Sequence, residues 1–257
     1  MSKVEIPVLK QEQMLFLLGL AAEAGVLTVS QRIERAGQGL ALLAQHLLDD
    51  DLADRPVVVL AGVGEQGAGG LAAARLLMER NAWVQTVFVH RPGAEDSLTT
   101  QALDTLRELG AALAWAEEGW ELPPADLLID ALGQDWPASP ANPVGNLVQL
   151  ANSSMAPVLS LEAPCGLDLT GGLLAEPYIR ATATLVLAAA RSEQVVEPGR
   201  SACGQLYLLD IGLPASLYAE LGLRSPPPTP EPLPLTVAEG KVWVQLAPAK
   251  VAYRPTR

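Results

Sequence analysis

Histidine and cysteine are close to absent from this sequence, which carries two of each: His46 and His90, Cys165 and Cys203. Two cysteines are too few for a disulfide framework or a cysteine metal site, and the two histidines lie too far apart to share a metal-ligand spacing. Positive charge is scarce as well, with 17 Lys and Arg against 29 Asp and Glu for a net charge of -12. Neutralising a phosphate backbone needs clustered cations, so nucleic acid is excluded as a partner. No apolar run reaches the length of a membrane-crossing helix, and the opening MSKVEIPVLKQEQ lacks the charged-then-apolar pattern of a signal peptide. Together these absences predict a soluble, cytoplasmic protein with no membrane partner. Aromatic residues make up only 4%, so the core has to be assembled from Leu, Val and Ala; a hydrophobic content of 49% is ample for that.

What is present centres on residues 57–75, VVVLAGVGEQGAGGLAAAR. An unbroken β-forming run after Pro56, without polar alternation, is expected where helices cover both faces of a parallel sheet. Gly62, Gly64, Gly67, Gly69 and Gly70 then allow close backbone approach, ahead of a helix expected from Leu71. GVGEQG satisfies the GxGxxG dinucleotide pattern, but the next strand (83–89) ends in His90 and Arg91 instead of an acid that would hold a ribose. Either the glycines admit a ligand, or they only permit a tight strand-to-helix turn.

Along the chain, helices are expected over 11–24 and from Thr28, where Thr28 and Gln31 resemble a capping box. Strands follow at 57–61, 83–89, near Leu113, at 126–132, at 158–162, 183–188 and 205–209, with helices between them at 98–109 and 146–151 and a further helix near 215–221. This alternation predicts an α/β fold: a three-layer, doubly wound, Rossmann-like and mostly parallel sheet with helices on both faces. The domain occupies residues 1–222. Residues 223–257 read as a Pro-rich tail, with SPPPTPEPLPL (225–235) as a polyproline linker and 242–247 as an edge strand or a strand pairing with another subunit.

In such sheets ligands bind beyond the carboxyl ends of the strands. Three features fall there: the Gly-rich loop, Asp130 in IDALG and Glu162 in SLEAPCGLD. If their strands are neighbours, the carboxylates face one cleft as a general acid/base pair. The alternative is that Asp130 caps the following turn and Glu162 is solvated at a sheet edge. Gly166 and Asp168 shape a turn, and Cys165 reads as a small apolar filler, because no histidine is near in sequence to activate it.

Taken together, GVGEQGAGGLAAAR, DALG and EAPCGLD resemble, in order and separation, the GxGNNGGDGLxxAR, DALxG and DIPSGxD segments of the YjeF N-terminal domain family. QEQM, IERAG and CGQLYLLDIGLP are similar to further family segments, and the resemblance spans about residues 8–222. It implies an NAD(P)H-hydrate epimerase that interconverts the R and S hydrates of NADH and NADPH. Glu162 would be the catalytic carboxylate. The nucleotide substrate would be bound by Gly64, Glu65, Gln66, Gly67, Ala68, Gly69, Gly133 and Gln134. It also implies a potassium ion held by Glu65, Asp130 and Cys165, and leaves a homodimer open. The family's paired asparagines fall on Glu65 and Gln66, its catalytic aspartate on Glu162 and its serine on Cys165. A thiol is a poor ligand for a hard cation, and one methylene moves the Glu162 carboxylate outward. A catalytically inactive nucleotide- or protein-binding module of the same fold is therefore the alternative. A Rossmann oxidoreductase fits less well, because the sequence offers neither the ribose-binding acid nor a Tyr-x-x-x-Lys pair.

Overall fold

The computed structural model describes residues 2–89, 97–117, 119–133 and 143–246. Two short strands, β1 (Ser2–Ile6) and β2 (Val8–Leu9), precede helices α1 (Gln11–Glu23) and α2 (Val29–Leu47). The expected capping box starts α2: the Thr28 hydroxyl accepts from the Gln31 N–H at 3.2 Å, and the Gln31 side chain accepts from the Thr28 N–H at 2.9 Å. The alternating run follows as β3 (Pro56–Ala61), α3 (Gly64–Glu79), β4 (Trp83–Phe88), α4 (Ser97–Glu108), β5 (Ala112–Trp115) and β6 (Leu127–Ala131). It continues through α5 (Pro143–Ser153), β7 (Val158–Leu161), β8 (Ala183–Leu187), β9 (Ala190–Arg191), α6 (Ser192–Val195) and α7 (Gly199–Cys203). Strand β10 (Gln205–Leu209), α8 (Ala215–Glu220), β11 (Leu233–Ala238) and β12 (Lys241–Leu246) complete the described chain.

Ten strands form one sheet in the order β1-β12-β11-β10-β8-β7-β6-β3-β4-β5. The seven from β10 to β5 are parallel, and the other three are antiparallel. Strand β3 has β4 on one side and β6 on the other, so the order reverses there and opens a crevice at the carboxyl ends. Within β3, Val57, Val59 and Ala61 pack into the layer of α1 to α4 and α8, while Val58 and Leu60 pack with Leu147 and Val148 of α5. This two-sided burial is why the strand lacks polar alternation. Helices α2 and α3 meet through small residues: a Cβ at Gly37 would lie 2.6 Å from the Ala72 Cβ.

The C-terminal segment departs from the linker expectation. Strand β11 begins at Leu233 and lies between β10 and β12, with Pro234 in register with Tyr207. Leu235, Val242 and Val244 are buried with Val186, Leu206 and Leu208, and burial of this apolar face outweighs the missing proline N–H. Strand β12 pairs with the chain's own β1, Val4 opposite Val244. Among the described residues no helix is long and apolar enough to cross a membrane.

Candidate functional site

A cavity of about 540 Å³ opens at the carboxyl ends of β3, β6, β7 and β8, under α1 and the start of α2. Met14, Leu15 and Leu18 of α1, with Ile33 and Ala36 of α2, give it an apolar wall. Its polar groups are few and local: Arg32, Glu65, Gln66, Glu162, Arg191 and Gln11. An apolar chamber with a handful of convergent polar side chains is the general form of a small-molecule site.

Glu162 stands one residue beyond β7 with φ of 60°, in the left-handed region that costs a non-glycine residue on the order of 1–3 kcal/mol. Neighbouring groups hold it there. Its N–H donates to the Leu185 carbonyl at 2.7 Å, and its own carbonyl accepts from Gln194 Nε2. The carboxylate accepts from Gln66 Nε2 at 3.4 Å through Oε2 and lies 3.5 Å from the Arg191 guanidinium through Oε1. Arg191 is buried; its Nε donates to Gln11 Oε1 at 3.2 Å, and its Nη1 donates to the Ala189 carbonyl. Burial pulls the Arg191 pKa down, opposed by the charge of Glu162 and by Tyr218 and Glu193; a guanidinium keeps its proton even so. Gln194, fully buried, closes the arrangement by accepting from the Arg191 N–H at 2.7 Å. The result is a partly exposed carboxylate with fixed direction, able to give and take a proton at a bound molecule.

The second carboxylate does not join it. Asp130 is buried and is not among the residues that line the cavity. Oδ1 accepts from the Leu132 N–H at 3.2 Å; Oδ2 accepts from the Ser160 hydroxyl at 2.8 Å and the Cys165 N–H at 2.9 Å. Burial raises its pKa, and these three donors oppose the rise. The expected acid/base pair is thereby corrected to a single carboxylate, Glu162, with Asp130 serving to tie β6 to β7 and to the loop that follows. It caps its turn, as the alternative reading had it.

The expected potassium ligands do not fit a cation. Glu65 faces the cavity, but Arg32 forks its carboxylate, Nε to Oε2 at 3.0 Å and Nη2 to Oε1 at 2.5 Å. Cys165 is 2% exposed, and burial with the nearby Asp130 pushes its thiol well above its ordinary pKa, so it offers no thiolate. Among the described residues no group of three His, Cys, Asp or Glu side chains is placed to hold a metal ion.

The Gly-rich segment also divides. Helix α3 starts at Gly64, not Leu71, so Gly64, Glu65 and Gln66 form its first turn and line the cavity together with Gly133. Gly67, Ala68 and Gly69 are turned inward and are not among the lining residues. A Cβ at Gly67 would run into the Gly62 carbonyl, and one at Gly69 would sit 2.9 Å from Leu161 Cδ2. Their smallness lets α3 approach the sheet, which corrects their expected role in substrate binding. Gln134 lies outside the described residues, as do His90 and Arg91.

Sequence reading missed Arg32, Arg191, Gln194 and Gln11 as site residues. Arg191 had one usable signal, a lone cation directly after the apolar run LVLAAA at the end of a buried strand.

A family model described as YjeF-related protein N-terminus matches residues 29–192. The chain is 31% identical over 196 residues to an NAD(P)H-hydrate epimerase of Dehalogenimonas lykanthroporepellens, covering 76% of this chain and 78% of the relative. It is 32% identical over 195 residues to an NAD(P)H-hydrate epimerase of Truepera radiovictrix, covering 75% and 84%. In crystal structures, yeast ynu0 superposes with a TM-score of 0.73 at 19% identity, over 90% of this chain and all of that one, a likeness of fold.

Proposed function

The chain belongs to the YjeF-related protein N-terminus family, and from that membership we propose that it is an NAD(P)H-hydrate epimerase acting on the hydrated nicotinamide ring in the cavity. The observation that carries this reading is the Glu162 carboxylate, held at a strained backbone position between Gln66 and Arg191 and open to the chamber. The curated relatives that are 31% and 32% identical bear the epimerase name, which supports the same assignment.

Epimerisation requires the hydroxyl on the ring carbon beside the nitrogen to leave and return on the other face. In the proposed step the Glu162 carboxyl gives its proton to the departing hydroxyl. As the carbon–oxygen bond breaks, the ring nitrogen's lone pair stabilises the electron-poor carbon. The flat ring cation then turns its other face to the carboxylate, which takes a proton from the water adding there, and Glu162 ends as it began. Arg191 and Gln66 keep the carboxylate directed through both halves, and the apolar wall of α1 admits the ring while limiting stray water. The first turn of α3 presents backbone N–H groups suited to the anionic part of a nucleotide. A cytoplasmic location accords with this substrate.

The test is to supply one NADHX epimer and follow appearance of the other by chromatography. Acceleration over the spontaneous rate supports the reading; tight nucleotide binding without acceleration replaces it with a binding module.

A further inference from the structure

We propose that this site operates without a bound monovalent cation, because the Arg32 guanidinium supplies, from within the chain, the positive charge that the Glu65 carboxylate faces. The inference rests on the family membership, which brings the expectation of potassium, and on three features that remove it. Glu65, the one of the three expected ligands that lines the cavity, has both oxygens engaged by Arg32 at 3.0 and 2.5 Å. The Arg32 side chain is 11% exposed and the Glu65 side chain 45%, so the cation of this fork is largely covered while the carboxylate stays open to solvent; the strength of the pairing lies in its two-pronged geometry. An alkali ion entering there would have to displace a guanidinium that brings both its charge and two directed donors, while itself giving up water. Asp130 is buried, is not among the residues that line the cavity, and already accepts from Leu132, Ser160 and Cys165. At Cys165 a buried sulfur, a soft donor, stands where the resemblance implies a hard oxygen ligand. The same pairing predicts how the property is reversed. With Arg32 neutralised, Glu65 faces the cavity as an uncompensated carboxylate and should draw a cation from solution.

The full chain is dialysed into potassium, sodium or tetramethylammonium chloride at equal ionic strength, and three quantities are read: the melting midpoint, NADP affinity by calorimetry, and NADHX epimerisation. All three are expected to be the same in the three salts. A potassium-specific rise in any of them overturns the inference. The Arg32→Gln variant is expected to melt higher in potassium or sodium than in tetramethylammonium, whereas Arg32→Lys, which keeps the charge, stays insensitive. An Arg32→Gln variant as indifferent to the cation as the parent overturns the role given to Arg32. If epimerisation is absent in every salt, the epimerase reading fails, while the melting and affinity measurements still decide the cation question.

Discussion

Replacing Asp130 by Asn separates a structural carboxylate from an ion ligand. Asp130 receives three donors on two oxygens, two of them backbone N–H groups, from Leu132 and Cys165, at 3.2 and 2.9 Å. An asparagine has one oxygen, so its NH2 must face either the Leu132 N–H or the Cys165 N–H and leave a buried donor without a partner. That costs about 1–3 kcal/mol, and for a domain of this size about 2–4 °C of melting midpoint per kcal/mol, so the expected loss is about 2–12 °C. The effect depends on pH. Because burial raises the folded-state pKa of Asp130 above its unfolded value, this group's contribution is fully present below the unfolded value and is lost as pH rises through the folded one. The gap in stability between parent and Asp130→Asn should therefore be widest in acid and narrow toward neutral pH. Calorimetric melting between about pH 4 and 8 in potassium and in tetramethylammonium checks both points. An Asp130→Asn protein that melts like the parent, or that loses stability only when potassium is present, refutes the structural role.

Other substitutions probe the remaining supports. Gln194→Leu removes the partners of the Glu162 carbonyl and the Arg191 N–H; steady-state kinetics should show a fall in kcat of about tenfold or more with KM nearly unchanged, as a displaced acid/base group predicts. Gly37→Ala places a methyl 2.6 Å from the Ala72 Cβ and forces α2 from α3, which should lower stability to urea by about 1–3 kcal/mol. Cys165 and Cys203 are 2% and 0% exposed, with the Cys203 thiol pushed up to about 12 and the Cys165 thiol raised well above its ordinary value. A thiol-reactive disulfide reagent should therefore modify neither in the native protein at neutral pH and both in denaturant.

The parallel framework was legible because its signals are local. Strand β3 has no polar residue to break it, and the capping box of α2 lies within four residues. The sheet extension was not, because SKVEI is short and its partner lies more than 230 residues away, while Pro234 argued against the strand it occupies. Glu162 could be read from its place after a buried strand. The orientation of Asp130 could not, since it depends on Ser160 and Cys165, 30 and 35 residues distant, whose donors turn the carboxylate into the sheet. Gly67 and Gly69 read as loop residues when the helix is expected from Leu71, but α3 begins at Gly64, which turns them toward Gly62 and Leu161. The pairing of Arg32 with Glu65 joins two helices, and no spacing rule within either segment announces it.

The most direct measurement compares the parent with Glu162→Gln on a single NADHX epimer, alongside NADP affinity by calorimetry. The amide preserves length and occupies the same place beside Gln66 but cannot exchange a proton. Affinity close to the parent's and an epimerisation rate lower by about 10²–10⁴-fold are expected; a Glu162→Gln protein that epimerises at the parent's rate would contradict the role given to this carboxylate.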